Sequence, residues 1–482
     1  MARELFAHQV RALDYAHQRR RIALFMDMRL GKSLTAIRWA DPLGGDILVV
    51  GPLSVLPGWI DELQKEGITR VKPIYGLSSA TRHAILLTHR TSQEPTWFFV
   101  NYEAIRANPM ILAGPWRTLI LDESTRIRNP KAQITKLLLR ETGWVTNRAI
   151  LSGLPAPESS ADYFCQMKFL YGSFMGTSNY WAFRNRFYHR VLYDWIPNPG
   201  TVEAIKRAVH ETSFVLTRHQ AGMGSRKLYE TRVVQMTPSQ RAFTKQVMDD
   251  FAFGPTMETQ WAPVKMVWLA RLAGGFSPDR DNPTQISDTK TRELLSLLTG
   301  ELKGQPVVVW FRFNEELNAV FSMLTDHGVE CMGITGATPV KDRRSIAQLF
   351  QGGGFPVLLM QAKVGQFGLD LSAASTAIYY SNVYEYEARA QSEDRIVHPM
   401  KKDPLLYIDL VTRGSVDRAV VAALQDKSLT AKTFMRRLVT DWAEEWRAAH
   451  GKGARPIYTV SAAAPTAATR PLRARIRRVF PG

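Results

Sequence analysis

The stretch ALFMDMRLGKSLTAIRWA, residues 23–40, can be read in two ways. Its Gly31-Lys32-Ser33 ends as a phosphate-binding loop ends, yet the full pattern G-x-x-x-x-G-K-[ST] wants glycine where Met26 stands. It is either a nucleotide site or a helix start that contains these three letters by coincidence. Its surroundings favour the first reading. The apolar run RIALFMDM leads in as a strand and SLTAIRWA leaves with a helical pattern. Such a turn presents the unpaired N–H groups and positive dipole of a helix N-terminus to an anion. Gly31, Lys32 and Ser33 would then hold the phosphates, with Lys32 neutralising the β- and γ-groups and Ser33 offering its hydroxyl to magnesium.

About ninety residues further on, RTLILDE closes an apolar strand with Asp122 and Glu123. An acidic pair at a strand end is often only the polar start of a loop. Behind a phosphate loop it suits a magnesium nucleotide site, Asp122 holding the metal through water and Glu123 orienting the attacking water.

Strand-like runs recur around these two features. DILVVGP, TWFFVNYE, RTLILDES and NRAILSG alternate with helical stretches in the first 150 residues; PVVVWFRF, ECMGITG, PVLLMQA, TAIYYSN and LLYIDLV repeat the pattern later. The alternation predicts an α/β chain, with parallel strands covered by helices in two tandem lobes. The expected boundaries are 1–157 for the first lobe, 158–285 for a mostly helical insertion or linker, and 286–430 for the second lobe. A helical extension over 431–450 and a basic tail over 451–482 follow. GGFSPDRDNPTQISDTK, rich in Gly, Pro, Asp and Ser, is the expected flexible join.

At 482 residues the chain is too long for one core, and its 45% apolar content suffices for two or three. It has no uninterrupted apolar run of about 18 residues, and MARELFAHQV lacks an apolar targeting region. Cys165 and Cys331, the only cysteines, form no metal-spaced cluster and are expected to be buried. These features lead to the expectation of a soluble intracellular protein in a reducing compartment; the compact length suggests a monomer in the cytoplasm of a bacterial cell or phage-infected host. The formal charge of +18 suits a polyanion, nucleic acid above all, although basic surface can also serve solubility alone. The tail has the same two readings: a solvated end, or an arm gripping phosphates through Arg470, Arg473, Arg475, Arg477 and Arg478.

Taken in order, the motifs resemble helicase superfamily 2 and, within it, the Swi/Snf-like DNA translocases. HQVRAL, carrying Gln9, resembles the glutamine motif; LVVGPLSVLPGWIDELQKE, motif Ia; FFVNYEAIR, motif Ib; LDESTRIRNP, motif II; and AILSGLPAPES, motif III. FVLTRHQAGMGSRKLYETRVVQMTPSQRAF resembles the family's lobe-joining stretch. VVVWFRFNEELNAV fits motif IV, LLMQAKVGQFGLDLSAASTAIYYSNVYEYEARAQSEDRIVH fits motifs V and VI, and GSVDRAVVAALQDK fits the closing element, so the match runs from about residue 5 to 430.

The resemblance implies two RecA-like lobes with ATP and Mg2+ between them. It assigns adenine recognition to Gln9 and coupling of nucleotide state to the neighbouring lobe to Ser152 and Gly153. Gly365 and Gly368 would permit a tight backbone path, Asp370 would reach the nucleotide or the facing lobe, and Gln391 and Arg395 would face the phosphates from the second lobe. Double-stranded or branched DNA would lie across both lobes, held mainly by its phosphates, with Ser54, Asn101, Tyr102 and Arg312 as candidate contacts. The implied function is a DNA-dependent ATPase that translocates on double-stranded DNA and remodels protein–DNA, branched or annealing structures. A strand-separating helicase and an ATP-gated recruitment protein with weak hydrolysis are the alternatives.

Four positions depart from the family pattern. Arg29 replaces a loop glycine, so its side chain must avoid both the phosphates and an unfavourable positive φ, or could instead add a cationic contact. Ser124 and Thr125 replace the glycine and histidine of motif II. His398 stands where motif VI carries a second arginine; histidine is shorter and has no permanent charge, so the missing contact must come from elsewhere, Arg389 being one candidate.

Overall fold

The computed structural model describes residues 3–89, 94–191, 194–249, 258–279, 282–364, 368–398 and 400–425. The 431–450 extension, the basic tail and Gly365 lie outside them. The first lobe contains β1 (Arg21–Met26), β2 (Asp46–Gly51), β3 (Val71–Pro73), β4 (Trp97–Asn101), β5 (Trp116–Asp122) and β6 (Asn147–Ser152). A hairpin of β7 (Tyr188–Val191) and β8 (Asp194–Pro197) follows, then β9 (Phe214–Leu216). Seven of these form a parallel sheet in the order β3-β4-β2-β5-β6-β1-β9. The second lobe has β10 (Lys227–Val234), β11 (Val307–Phe311), β12 (Cys331–Ile334), β13 (Val357–Gln361), β14 (Thr376–Tyr379) and β15 (Leu405–Thr412), also parallel, in the order β10-β15-β14-β11-β13-β12.

The apolar runs form these sheets because both of their faces are covered. Along β2, Leu48 and Val50 enter one buried cluster while Ile47 and Val49 enter the other. Along β11, Val308 and Trp310 face one side and Val307, Val309 and Phe311 the opposite side. A strand covered on both faces reads as a continuous apolar run, and full burial of each such side chain contributes about 1.5–3 kcal/mol before entropic losses. Cys165 is buried in the first-lobe core, whereas Cys331 is only half-buried. Among the described residues, no helix is long and apolar enough to cross a membrane.

The segment expected as a mostly helical insertion does not form a separate unit. Helices Tyr163–Tyr171, Tyr180–Phe187 and Thr201–Thr212 complete the first core through Phe164, Phe183 and Ile205. Helices Pro238–Asp249 and Glu258–Gly274 pack instead with Asp417–Gln425, through Val247, Met266, Leu269 and Val420. β9 belongs to the first sheet and β10 to the second, so the chain crosses between lobes over 217–226. GGFSPDRDNPTQISDTK, expected as the join, lies well inside the second half. There Ser277 N–H donates to the Thr284 carbonyl at 2.8 Å, and a Cβ on Gly275 (φ +94) would lie 2.4 Å from the Ser287 carbonyl. β10 was not legible because it is an edge strand whose sequence, KLYETRVV, mixes charged and apolar residues without alternation.

Register places the chemistry. β6 lies between β5 and β1, with Asp122 opposite Leu151 and Phe25 opposite Ser152. The C-terminal ends of three neighbouring strands therefore bring the GKS loop, the acidic pair and motif III together, at the edge where open α/β sheets bind ligands.

Candidate active site

The first wall of the cleft grows from β1. Gly31, at φ +77, caps the helix Lys32–Ala40. A Cβ there would lie 1.9 Å from Gln9 Nε2, so glycine is required both by the backbone and by the packed amide. Gln9 is buried, and its Oε1 accepts from the Phe6 N–H at 2.9 Å. Met26, where the strict pattern has glycine, is a buried strand residue. Its carbonyl and that of Asp27 accept from Lys32 Nζ at 2.9 and 3.2 Å. Burial pushes the Lys32 pKa down, opposed by the charges of Glu123 and Asp122. Ser33 follows in the first helical turn, half-buried. Gly153 closes against this loop, since its Cβ would meet Met28 Cγ at 3.0 Å and Lys32 Nζ at 3.5 Å. Ser152 is fully buried, and its hydroxyl accepts from the Leu154 N–H.

The acidic pair is fixed by its neighbours. Trp59 Nε1 donates to Asp122 Oδ2 at 2.8 Å, and the Glu123 N–H donates to Oδ1 at 2.9 Å. Glu123 holds a left-handed backbone, φ 49. Burial raises both carboxyls above their ordinary range, and the charge of Asp122 raises Glu123 further. Lys32 and Arg395 act on Glu123 in the opposite sense. Two crowded buried carboxylates are relieved by a divalent cation. No cluster of three or more His, Cys, Asp or Glu able to hold a metal occurs among the described residues. A magnesium ion bound through one carboxylate, the Ser33 hydroxyl and substrate phosphates needs none, so the donor set fits Mg2+ with a triphosphate.

The second wall comes from the helix Tyr386–Glu393 and the turn after it. Gln391 is buried and, with Glu123, Thr125, Arg128 and Glu387, lines a cavity of about 560 Å³ between the lobes. Arg395 lies within electrostatic reach of Glu123, Asp394 and Asp370, and burial followed by the nearby Arg29 charge pushes its pKa down to about 10. Lys32, Asp122, Glu123, Gln391 and Arg395 thus converge on one crevice, with Asp370 facing the phosphate loop at its edge. Gly368 passes close to motif Ia, where its Cβ would lie 3.8 Å from the Ser54 carbonyl.

Arg389 is not available to replace the second arginine. Its guanidinium is buried 3.4 Å over the Tyr379 ring and is committed to Asp409 at 2.6 Å and Glu393 at 2.9 Å. This network fixes the helix that presents Gln391. His398 Nδ1 accepts from the Met400 N–H at 3.2 Å, within its own turn.

Several positioning residues escaped the sequence reading. Ser124 donates to Gln166 Oε1 at 2.7 Å, and Gln166 Nε2 donates to the Pro155 carbonyl at 2.6 Å, tying motif II to motif III. Arg218, in the crossing segment, bonds Asp27 Oδ2 through its N–H at 2.9 Å and Asp394 through Nη2 at 2.6 Å. Arg128 crosses to Glu387 at 2.8 Å. Arg128 and Arg218 lie inside recognisable motifs, which was the available signal. Gln166 lies in an aromatic helix and gave none.

Of the four proposed DNA contacts, two need correction. Tyr102 is buried, and its hydroxyl donates to the Asp122 carbonyl at 2.8 Å; it supports motif II from below and cannot reach a duplex. Arg312 stacks 3.8 Å over the Tyr384 ring and has a buried Nη1, so its guanidinium is not extended toward solvent. Asn101 caps the helix Tyr102–Ala107 and donates to Glu103 at an exposed position. Ser54 is half-buried beside Gly368.

The model of the SNF2-related domain matches residues 8–247, and that of the helicase conserved C-terminal domain matches residues 289–399. Protein CHROMATIN REMODELING 4 of Arabidopsis thaliana is 24% identical over 480 residues, covering 90% of this chain and 21% of that protein. The probable global transactivator of Orgyia pseudotsugata multicapsid polyhedrosis virus is 24% identical, over 89% of this chain and 91% of the viral one. The chain spans less than half the length of the two Arabidopsis chromatin-remodelling relatives, 21% and 42%. Among solved structures, the Sulfolobus solfataricus SWI2/SNF2 ATPase core in complex with dsDNA aligns with 93% of this chain and 97% of that one, at 18% identity and a TM-score of 0.43. The chain belongs to the SNF2-related family of helicase-like ATPases.

Proposed function

We propose that the protein hydrolyses ATP in a DNA-dependent manner and uses the cycle to translocate along double-stranded DNA, displacing or remodelling what is bound there. One observation carries the reading: the phosphate-loop lysine and acidic pair of one lobe and Arg395 of the other face a common crevice. In this scheme Lys32 and the helix N-terminus hold the triphosphate, and Ser33 and Asp122 hold Mg2+, which supplies charge neutralisation at the phosphates. Glu123 takes the proton of the attacking water. Arg395 and Gln391 complete the charge stabilisation only when the lobes are together, so turnover is tied to lobe movement. Relatives whose names refer to chromatin remodelling support duplex DNA as the track. The net charge of +18 supports a salt-sensitive, phosphate-directed grip.

Phosphate release measured with single-stranded, duplex, forked and four-way DNA tests the first half of this proposal. Triplex displacement against fork unwinding tests the second. Duplex-stimulated hydrolysis with triplex displacement and no fork unwinding is expected. Efficient unwinding of forks would move the assignment to a strand-separating helicase, and nucleotide-dependent DNA binding without turnover would move it to an ATP-gated recruitment protein.

A further inference from the structure

Arg29 occupies a backbone conformation that suits glycine: its φ is +64, in the middle of the phosphate loop. A side chain held there costs the fold something, and this one reaches across the cleft. Nη1 donates to Asp370 Oδ1 at 2.8 Å and Nη2 donates to the Arg395 carbonyl at 2.9 Å. The Arg29 side chain is only 18% exposed. Two guanidinium groups, one from each lobe, thus lie close together at the phosphate loop. Arg29 adds to burial in lowering the Arg395 pKa, the mark of like charges held near each other. An anion with several oxygens answers such a pair better than the single carboxylate of Asp370, because each planar fork can donate two parallel bonds.

The other basic groups near motif VI are committed elsewhere. His398 serves its own turn, and Arg389 is locked to Asp409 and Glu393 beneath the helix. Of these groups, Arg29 alone stands in the phosphate loop and also touches motif VI.

We propose that Arg29 is the second phosphate-contacting arginine of this cleft: when a nucleoside triphosphate enters, its guanidinium exchanges Asp370 for the terminal phosphate and supplies from the loop itself the cation that His398 does not. The inference rests on the ATPase reading above.

The test uses the full chain, magnesium and fluorescent mant-ADP, titrated with and without aluminium fluoride as a mimic of the phosphate in transfer. The parent protein is expected to bind the aluminium fluoride complex at least tenfold more tightly than ADP. In Arg29→Gly that preference is expected to fall to about twofold or less, with ADP affinity within threefold of the parent. Arg29→Lys keeps the charge but not the fork and is expected to fall between. Melting curves confirm that the variants are folded, as expected for Arg29→Gly because glycine relieves the left-handed backbone. Parent-like preference in both variants overturns the assignment while leaving the ATPase reading intact. A parent protein that binds neither nucleotide state overturns the ATPase reading itself.

Discussion

Arg128, in the loop after β5, and Glu387, on the helix that carries Gln391, are joined across the cleft at 2.8 Å, while the same guanidinium holds Glu158 of its own lobe at 2.6 Å. Acidic pair and second lobe are thereby linked through one partly exposed side chain. At 27% and 25% side-chain exposure the Arg128–Glu387 pair contributes at most about 1 kcal/mol to stability. A double-mutant cycle of Arg128→Ala and Glu387→Ala on urea unfolding should therefore give a coupling below about 1 kcal/mol. The same cycle on DNA-stimulated turnover should be plainly non-additive, the double variant being little worse than either single one. Additive turnover effects would remove the pair from lobe coupling.

Gly31→Ala tests the contact between loop and glutamine motif. The methyl group meets a left-handed backbone, a cost of about 1–2 kcal/mol, and also displaces the Gln9 amide. ATP affinity measured by fluorescence should fall about tenfold or more. Adding Gln9→Ala should recover part of the stability loss but none of the preference for adenine over guanine nucleotides. Unchanged base preference in the double variant would show that Gln9 does not read the base.

Glu123 sets a pH dependence whose sign follows from its surroundings. Burial and the Asp122 charge hold its pKa above the ordinary carboxylate range, and the group must be ionised to take a proton from water. The kcat/KM for ATP, which reports the groups of the free enzyme, should therefore fall as pH drops through a limb lying above the usual glutamate value. Glu123→Gln should lower turnover by about 10²-fold or more at every pH while retaining nucleotide binding. A kcat/KM that stays flat down to pH 5 would contradict the role given to Glu123.

Glu316 offers a stability test away from the cleft. It is fully buried, accepts hydrogen bonds from Ser381 and the Phe313 N–H, and burial pushes its pKa up to about 7. A folded-state pKa above the unfolded value means that its contribution to stability is complete below the ordinary glutamate pKa and is lost as pH rises through about 7. Glu316→Gln should stabilise the second lobe by on the order of 1–3 kcal/mol at pH 8.5 relative to its effect at pH 5. Unfolding curves at the two pH values check this, and an equal effect at both would contradict it.

The parts of this architecture legible in the sequence were those fixed by burial on both faces of a strand. RIALFM, DILVVG, VVVWF and VLLMQ carry apolar runs of four or more residues, and each forms a buried strand. The GKS loop and the Asp-Glu pair were legible because local chemistry dictates residue types at those turns. What stayed hidden depends on partners distant in sequence. β9 has only three residues, β10 is a charged edge, and the hairpin of β7 and β8 lies in an aromatic run read as helix. The misplacement of Tyr102 at the DNA surface has the same origin. Its motif position suggested exposure, while the hydrogen bond to the Asp122 carbonyl twenty residues away decides its burial. Arg29 likewise gave a warning as an unusual loop residue, but only the fold could supply Asp370, 341 positions later, as its partner.

The most direct measurement of the central claim is steady-state phosphate release by the parent chain and by Arg395→Ala, with and without duplex DNA, beside duplex binding by fluorescence anisotropy. A strong duplex stimulation in the parent, its loss in Arg395→Ala, and unchanged duplex affinity are the predicted results. If Arg395→Ala hydrolyses ATP at the parent rate in the presence of duplex, the second lobe does not complete the active site and the account fails.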